Sequence, residues 1–362
     1  MTEAQPRVQT LPGARWSCGS CGHCCWSFDL GPVEPATFDA LLAADPASFW
    51  PPASQQPWYE QREGPDGQRL AWLARHDGAC IFLGTDKHCA IHAQLGEAAK
   101  PAFCREFPFH LVQERLGHTA VVRPTCAGLH HARIDGEPIE PQAQGLPDLP
   151  RAYPVTRFAP ERVEILPGLG LDLDGWYSAE PAILRLLEAP DEDPRQTVAQ
   201  LRDALARATG RSLPAPSDEH YQAAMAVVLA LLATTLRSMA PPPSSDPRAA
   251  LPGRAVAWFE AAMATQPAPL DAGAQAYLNE ILRSQVFGKL FHRMGGLPRA
   301  LGLFLVDVHM ARAALASDDG SALGAAQLSA VLAHWWNMAG HRDVVQALKL
   351  AGPTLEDIFI DA

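Results

Sequence analysis

After Cys126 the 362-residue chain contains no cysteine at all; its eight cysteines fall between Cys18 and Cys126. No run of lysine or arginine occurs anywhere, and the formal net charge is −11. A diffuse negative charge opposes non-specific attraction to nucleic acid or anionic lipid, so neither is expected as a partner. The opening "MTEAQPRVQTLPGARW" lacks a basic segment followed by an apolar one, so no secretory leader is read there. The longest apolar run, Ala223 to Leu236, is shorter than the ~20 residues that span a bilayer and predicts a buried core helix. Also missing are a Walker loop, a His-Glu-x-x-His pair and a Gly-x-Ser-x-Gly elbow, so no catalytic residue is assignable from motifs. The expectation is a cytoplasmic chain without a membrane segment. In a reducing compartment, clustered thiols read as metal ligands or redox groups rather than disulfides.

Apolar residues make up 48% of the chain and charged residues 19%, which fits a globular protein with a core. Pro is abundant, 33 residues against the roughly 18 of average usage, and marks stiff connections. Residues 1–15 read as a loose tail, and residues 16–135 as a cysteine-rich domain of short strands, turns and helices. Within it, Pro35 to Asp45 predicts a helix with Pro near its start. Gln61 to Arg75 predicts a Pro-Asp-Gly turn and a strand, and Phe109 to Pro124 two strands joined at Leu116-Gly117. Residues 136–178, rich in Pro and Gly, read as the connection between domains, with a candidate strand within Arg162 to Trp176. From 179 to 362 apolar residues recur at helical spacing and predict an all-α domain of six to eight helices. Ser217 is a candidate N-cap and Gly210 a stop signal. The stretch Ala240 to Gly253 reads as a loop. The predicted class is therefore mainly α: a small, irregular α+β cysteine-rich domain followed by a helical one.

The cysteines are spaced as a ligand set. Cys18-x2-Cys21-x2-Cys24-Cys25 comes first, and Cys80, Cys89, Cys104 and Cys126 follow. Two residues between thiols let one tight turn aim both sulfurs at an ion. Gly19 and Gly22 supply the backbone freedom for such a turn. The triple run favours a four-iron cluster over zinc, whose sites more often use paired knuckles. Adjacent Cys24 and Cys25 point apart. Eight thiolates make two four-thiolate sites, or one site plus a redox pair, and the spacing does not choose. His23 and His92 stand close to the thiols as ligands or as donors to ligands, but packing or surface roles are favoured for both. His130-His131 is a weaker pair.

The segments "SCGSCGHCCWSF", "GACIFLGTDKHCAIHAQLGEAAKPAFCREFPF" and "RPTCAGL" resemble the YkgJ-type cysteine-cluster proteins, a family described as zinc- or iron-chelating. The resemblance runs from Trp16 to Gly128. It implies metal ligands among Cys18, Cys21, Cys24, Cys25, Cys80, Cys89 and Cys104, and Cys126 matches a further cysteine of longer relatives. His92 stands where short members carry Tyr. The implied cofactor is zinc or an iron–sulfur cluster of the 4Fe-4S type, and the implied function is metal binding in an unassigned cellular role. A more distant likeness is to flagellin lysine N-methylases, through the cysteine-rich start and "AYLNEILRSQVFGKLFHR" (Ala276 to Arg293). It implies a methyltransferase that uses S-adenosylmethionine beside an iron–sulfur cluster.

Candidate residues also lie outside the cysteine set. Gly168 and Gly170 follow a candidate strand, but the third glycine and the βαβ setting of a dinucleotide fingerprint are missing, so a plain turn is expected. Asp307 and His309 interrupt an apolar helix; a capped or exposed position is the favoured reading and a functional one the alternative. In "HWWNM" (His334 to Met338) core packing is favoured over ligand stacking. Arg105, beside Cys104, is placed to neutralise cluster charge or an anion, or to pair with Glu106 or Glu97. The helical half is the candidate surface for a protein partner.

Overall fold

The computed structural model describes residues 8–64, 67–151, 155–188, 193–239, 251–317, 319–339 and 342–362. Most of the turn expected at Pro65-Asp66 and of the loop expected at 240–253 lies outside them. The chain is mainly α, with a small α+β N-terminal part followed by a helical part.

The N-terminal part holds two kinds of sheet. A four-stranded sheet has the strands in the order Val8–Thr10, Gly117–Val122, Phe109–Glu114, Thr156–Arg157. Its centre is the antiparallel hairpin expected around Leu116, with Phe109 opposite Val122 and Glu114 opposite Gly117. Both outer strands run parallel to their neighbours. Part of the expected tail is therefore structure: Val8 is 1% exposed and pairs with His118. The strand forms because Val8 and Leu11 have an apolar surface to cover. A separate hairpin pairs Tyr59–Glu63 with Arg69–Leu73, and a minimal one pairs Arg75–His76 with Ala79–Cys80. The helix Pro35–Ala44 starts with proline at its first turn, as expected, where its missing N–H costs nothing.

The stretch 136–178 is more ordered than its composition suggests. It contains a helix at Ile139–Ala143, a hairpin of Val163–Leu166 with Leu169–Leu171, and the start of the helix Leu173–Leu186. Gly168 is the left-handed turn residue of that hairpin, φ 69°, and Gly170 lies in its second strand opposite Glu164, so the pair is part of a plain hairpin.

Nine helices follow among the described residues: Leu173–Leu186, Pro194–Thr209, Asp218–Met239, Leu251–Ala264, Ala272–Phe287, Leu297–Ala314, Ala325–Ala339, Arg342–Leu350 and Gly352–Ile360. Nine exceeds the expected six to eight because the apolar pattern of 326–351 divides into two helices and a final short helix follows them. Asp172, Asp193 and Asp271 cap their helices by accepting backbone N–H bonds, and Ser217 accepts from His220. Such caps each contribute about 1 kcal/mol. The helix Asp218–Met239 is 22 residues long, long and apolar enough to cross a membrane by length and composition alone. One face of it, Tyr221, Met225, Val228, Leu232 and Leu236, is buried in the core at helical spacing. The helix Leu297–Ala314 is the central one, and Gly302 lets it meet the last helix. A Cβ there would fall 2.0 Å from the Leu355 carbonyl oxygen.

Two cores result. The small one joins Leu30, Val33, Leu41, Trp58, Leu73, Ile81, Phe82 and Ile91 with their neighbours, all between residues 30 and 91. The large one joins the helices with the four-stranded sheet, including Phe109, Leu111, Val122, Phe158 and Trp176. The sheet thus packs with the helical body.

Candidate metal centre

All eight cysteines are free thiols, and all eight line a single cleft of about 1000 Å³ between the two cores. Cys18 and Cys21 are exposed at its mouth, Cys24, Cys25, Cys89 and Cys104 are half-buried, and Cys80 and Cys126 are buried.

Each thiol is placed by local backbone. Gly22 adopts φ 72° before the short helix His23–Ser27, a left-handed conformation that glycine adopts without strain. That turn puts Cys24 and Cys25 on the first turn of the helix. Cys80 ends the minimal hairpin, and the Cys80 carbonyl accepts from the Leu83 N–H at 2.9 Å. Cys89 bridges back to Leu83 and begins the helix Ala90–Leu95. Cys104 rides on the helix Ala102–Glu106. Glu34, 6% exposed, accepts the Ala102 N–H through both carboxylate oxygens at 3.1 Å and so caps that helix. Arg75 ties the Cys80 hairpin to the Cys24 helix: it donates to the carbonyls of Gly78 at 2.8 Å and Trp26 at 3.2 Å, and to that of Phe28.

The thiols feel one another across the cleft, with Cys24 acting on Cys80, Cys104 and Cys126, and Cys25 feeling Cys80 and Cys104. Cys80 feels Cys89 and Cys24, and Cys104 feels Cys80, Cys89 and Cys24. Burial pushes the Cys80 thiol up to about 12 and that of Cys104 well above the usual range. The Cys25 thiol donates to the Cys24 sulfur, which lowers Cys24 and raises Cys25. Cys126, raised by burial to about 11, faces Cys21 and Cys24. Without a cation the raised sulfurs favour the neutral thiol; a bound metal supplies the charge that makes thiolates stable there.

Several donors already point at sulfur. The Phe82 N–H is directed to Cys80 and the Gly128 N–H to Cys126. The Trp16 indole N–H is buried with no other hydrogen-bond partner and lies beside Cys126, where it favours the thiolate. Donors to sulfur are what a thiolate ligand needs around it. Lys100 adds a positive charge near Cys24 and Cys104. Among the described residues no three Cys, His, Asp or Glu donors already converge as a finished ligand set. The cleft gathers the thiols, and their donor chemistry fits zinc or an iron–sulfur cluster.

The histidines separate from the thiols. His23 turns to the helical body: its ring meets the His334 ring edge-on at 4.6 Å, and its Nε2 is 3.0 Å from Ser27 Oγ and 3.3 Å from Asn337 Nδ2. Burial, then His334, lower it to about 4. His92 is exposed at the cleft rim. His130 and His131 stack on one another at 3.9 Å. Arg105 lines the cleft but pairs with neither Glu106 nor Glu97 among the described residues; Glu106 is taken by Arg151 at 2.8 Å. Asp307, 2% exposed, is neither exposed nor part of the cleft. It accepts the indole N–H of both Trp335 and Trp336 at 2.6 Å, so the adjacent tryptophans and the interrupting acid are one buried structural unit.

Sequence reasoning passes over Arg75, Glu34 and Trp16. Their partners are backbone groups and a sulfur distant in sequence, and no local spacing signals such contacts.

The site is thus a thiol-rich metal-chelating cleft set in an α+β unit. Residues 17–127 match the family model described as "Putative zinc- or iron-chelating domain", with the Cys-x2-Cys-x2-Cys-Cys start. The match supports metal binding by this segment. No curated protein and no solved structure matches the chain, and the likeness to flagellin methylases finds no support in these comparisons.

Proposed function

We propose that this is a cytoplasmic metal-binding protein whose cleft thiolates hold zinc or an iron–sulfur cluster. The observation that carries the reading is the convergence of all eight cysteines, from Cys18 to Cys126, on one cleft. Cys24, Cys80, Cys89 and Cys104 form the inner ligand group together with Cys25, which is hydrogen-bonded to Cys24 and feels Cys80 and Cys104. Cys21 and Cys126 belong to an outer group, with Cys18 near the mouth. A bound metal there supplies thiolate stabilisation, and redox capacity where it is iron. The chain's own residues position the sulfurs and direct N–H donors at them.

The test is metal stoichiometry in single variants purified without oxygen. Cys80→Ser and Cys104→Ser are expected to lose bound metal, while Cys18→Ser retains more of it. Equal, undiminished metal in all three variants would falsify the inner-group assignment. Iron with matching sulfide identifies a cluster; colourless stoichiometric zinc identifies a zinc site. No observation favours the methyltransferase alternative, since Gly168 and Gly170 belong to a plain β-hairpin.

A further inference from the structure

The cleft extends beyond the thiols. Its wall on the body side is cationic, lined by Arg123, Arg151 and Arg293 with His110 and Thr156. In a chain of net charge −11, such a concentration of positive charge needs a reason. Among the described residues the one carboxylate any of these arginines pairs with is Glu106.

Their hydrogen bonding is uneven. Arg151 is saturated: it donates to Glu106 at 2.8 Å and to the carbonyls of Pro147, Leu149 and Leu146. Arg123 gives only its Nε, to the Phe109 carbonyl at 2.9 Å, and its Nη2 stands 3.6 Å from Glu106, beyond a hydrogen bond. Its side chain keeps 38% of its surface open. Among the described residues Arg293 meets only the Thr156 hydroxyl, at 2.8 Å. Arg123 and Arg293 are close enough to repel one another. His110, 4% exposed, lies within reach of both charges. It has no hydrogen-bond partner among the described residues. Burial, then Arg123 and Arg293, hold it neutral, lowered to about 3. Two guanidiniums with spare N–H groups, half-buried Arg123 and exposed Arg293, and an unbonded buried imidazole therefore line one side of the cleft.

We propose that this wall is an oxyanion subsite. It binds the phosphate or carboxylate of a small-molecule ligand through the guanidiniums of Arg123 and Arg293, with His110 and the Thr156 hydroxyl beside them. Guanidinium forks match such groups geometrically, and charge-assisted bonds are stronger than neutral ones. An anion also relieves the repulsion between the two arginines. None of the four residues is a thiol, so the subsite stands apart from the metal reading. Its position in the same cleft means that a ligand anchored here has its other end directed toward the sulfurs.

The experiment is calorimetric titration of the full chain with inorganic phosphate and, separately, with malonate, at constant ionic strength. Saturable binding of at least one is expected, and the stronger of the two identifies the anion class. Arg293→Gln, at a partly exposed position, is expected to weaken binding about tenfold to a hundredfold, the loss of one or two charge-assisted bonds. Its melting temperature and metal content should match the parent. Arg293→Lys should recover part of the affinity. Cys104→Ser keeps anion binding while losing metal, so the two readings fail separately. Absence of saturable binding of either anion to the folded parent, or binding that Arg293→Gln leaves unchanged, overturns the subsite.

Discussion

The two cores are built on different physical terms. The large one buries sixty-three apolar residues contributed by the sheet and the helices. The small one buries twelve, drawn from residues 30–91, and its remaining surface faces the thiol cleft. A core of that size rarely outweighs the chain entropy of the segment that builds it. Structural zinc contributes apparent binding energies of about 10–16 kcal/mol in small thiolate sites, which adds to the burial of the small core. Under the proposed reading, the helical body folds by burial while the cysteine unit depends on the metal that its thiols hold. Cys126 and Trp16 stand on the side of the cleft tied to the large core, so the body supplies one wall of the cleft.

The largest expected effect breaks this asymmetry directly. Metal removal by a strong chelator under reducing conditions, or Cys104→Ser, should unfold residues 18–107 and leave the helical body intact. Hydrogen exchange read by peptide should show protection lost between residues 18 and 107 and retained in the strand Val8–Thr10 and the central helix Leu297–Ala314. Uniform loss across both regions contradicts it. Second in size is Arg75→Met, which removes donors to the Gly78, Trp26 and Phe28 carbonyls. A loss of about 2–3 kcal/mol is expected, again confined to the cysteine unit and measured by denaturant titration.

The third prediction concerns the body. Burial holds the Asp307 carboxyl up at about 7, against an ordinary 3.8. The unfolded chain releases that proton first, so this group makes the folded body less stable as pH rises from about 4 to about 7. Asp307→Asn should flatten the stability–pH curve in that window. It should also cost about 1–3 kcal/mol, because one tryptophan N–H loses its acceptor. Metal content should not change. The smallest effect is expected for His23→Ala. Its ring packs on His334 and Asn337, so the change should cost under about 1 kcal/mol and leave metal stoichiometry intact. Loss of metal in that variant would make His23 a ligand.

What is legible in the sequence follows from the range of each interaction. The thiol turns, the helix at Pro35, the hairpin about Leu116 and the caps at Ser217 and Gly210 are local, and local patterns reveal them. The pairing of Val8 with His118 is not local, and a short strand that covers a sheet edge looks like a tail in composition. The meeting of Cys21 with Cys126 across the cleft is equally invisible to spacing. Asp307 reads as capped, exposed or functional because its two indole donors lie 28 and 29 positions away. The cationic wall is hidden for the same reason: Arg123, His110 and Arg293 are assembled by the sheet and a turn of the helical body, and none sits in a motif.

The most direct measurement is metal content together with thiol accessibility, on protein purified without oxygen. The account predicts zinc or iron bound in at least stoichiometric amount, with the inner thiols Cys24, Cys25, Cys80, Cys89 and Cys104 protected from alkylation until the metal is removed. Protein that carries no metal, or whose inner thiols react equally before and after chelation, contradicts it.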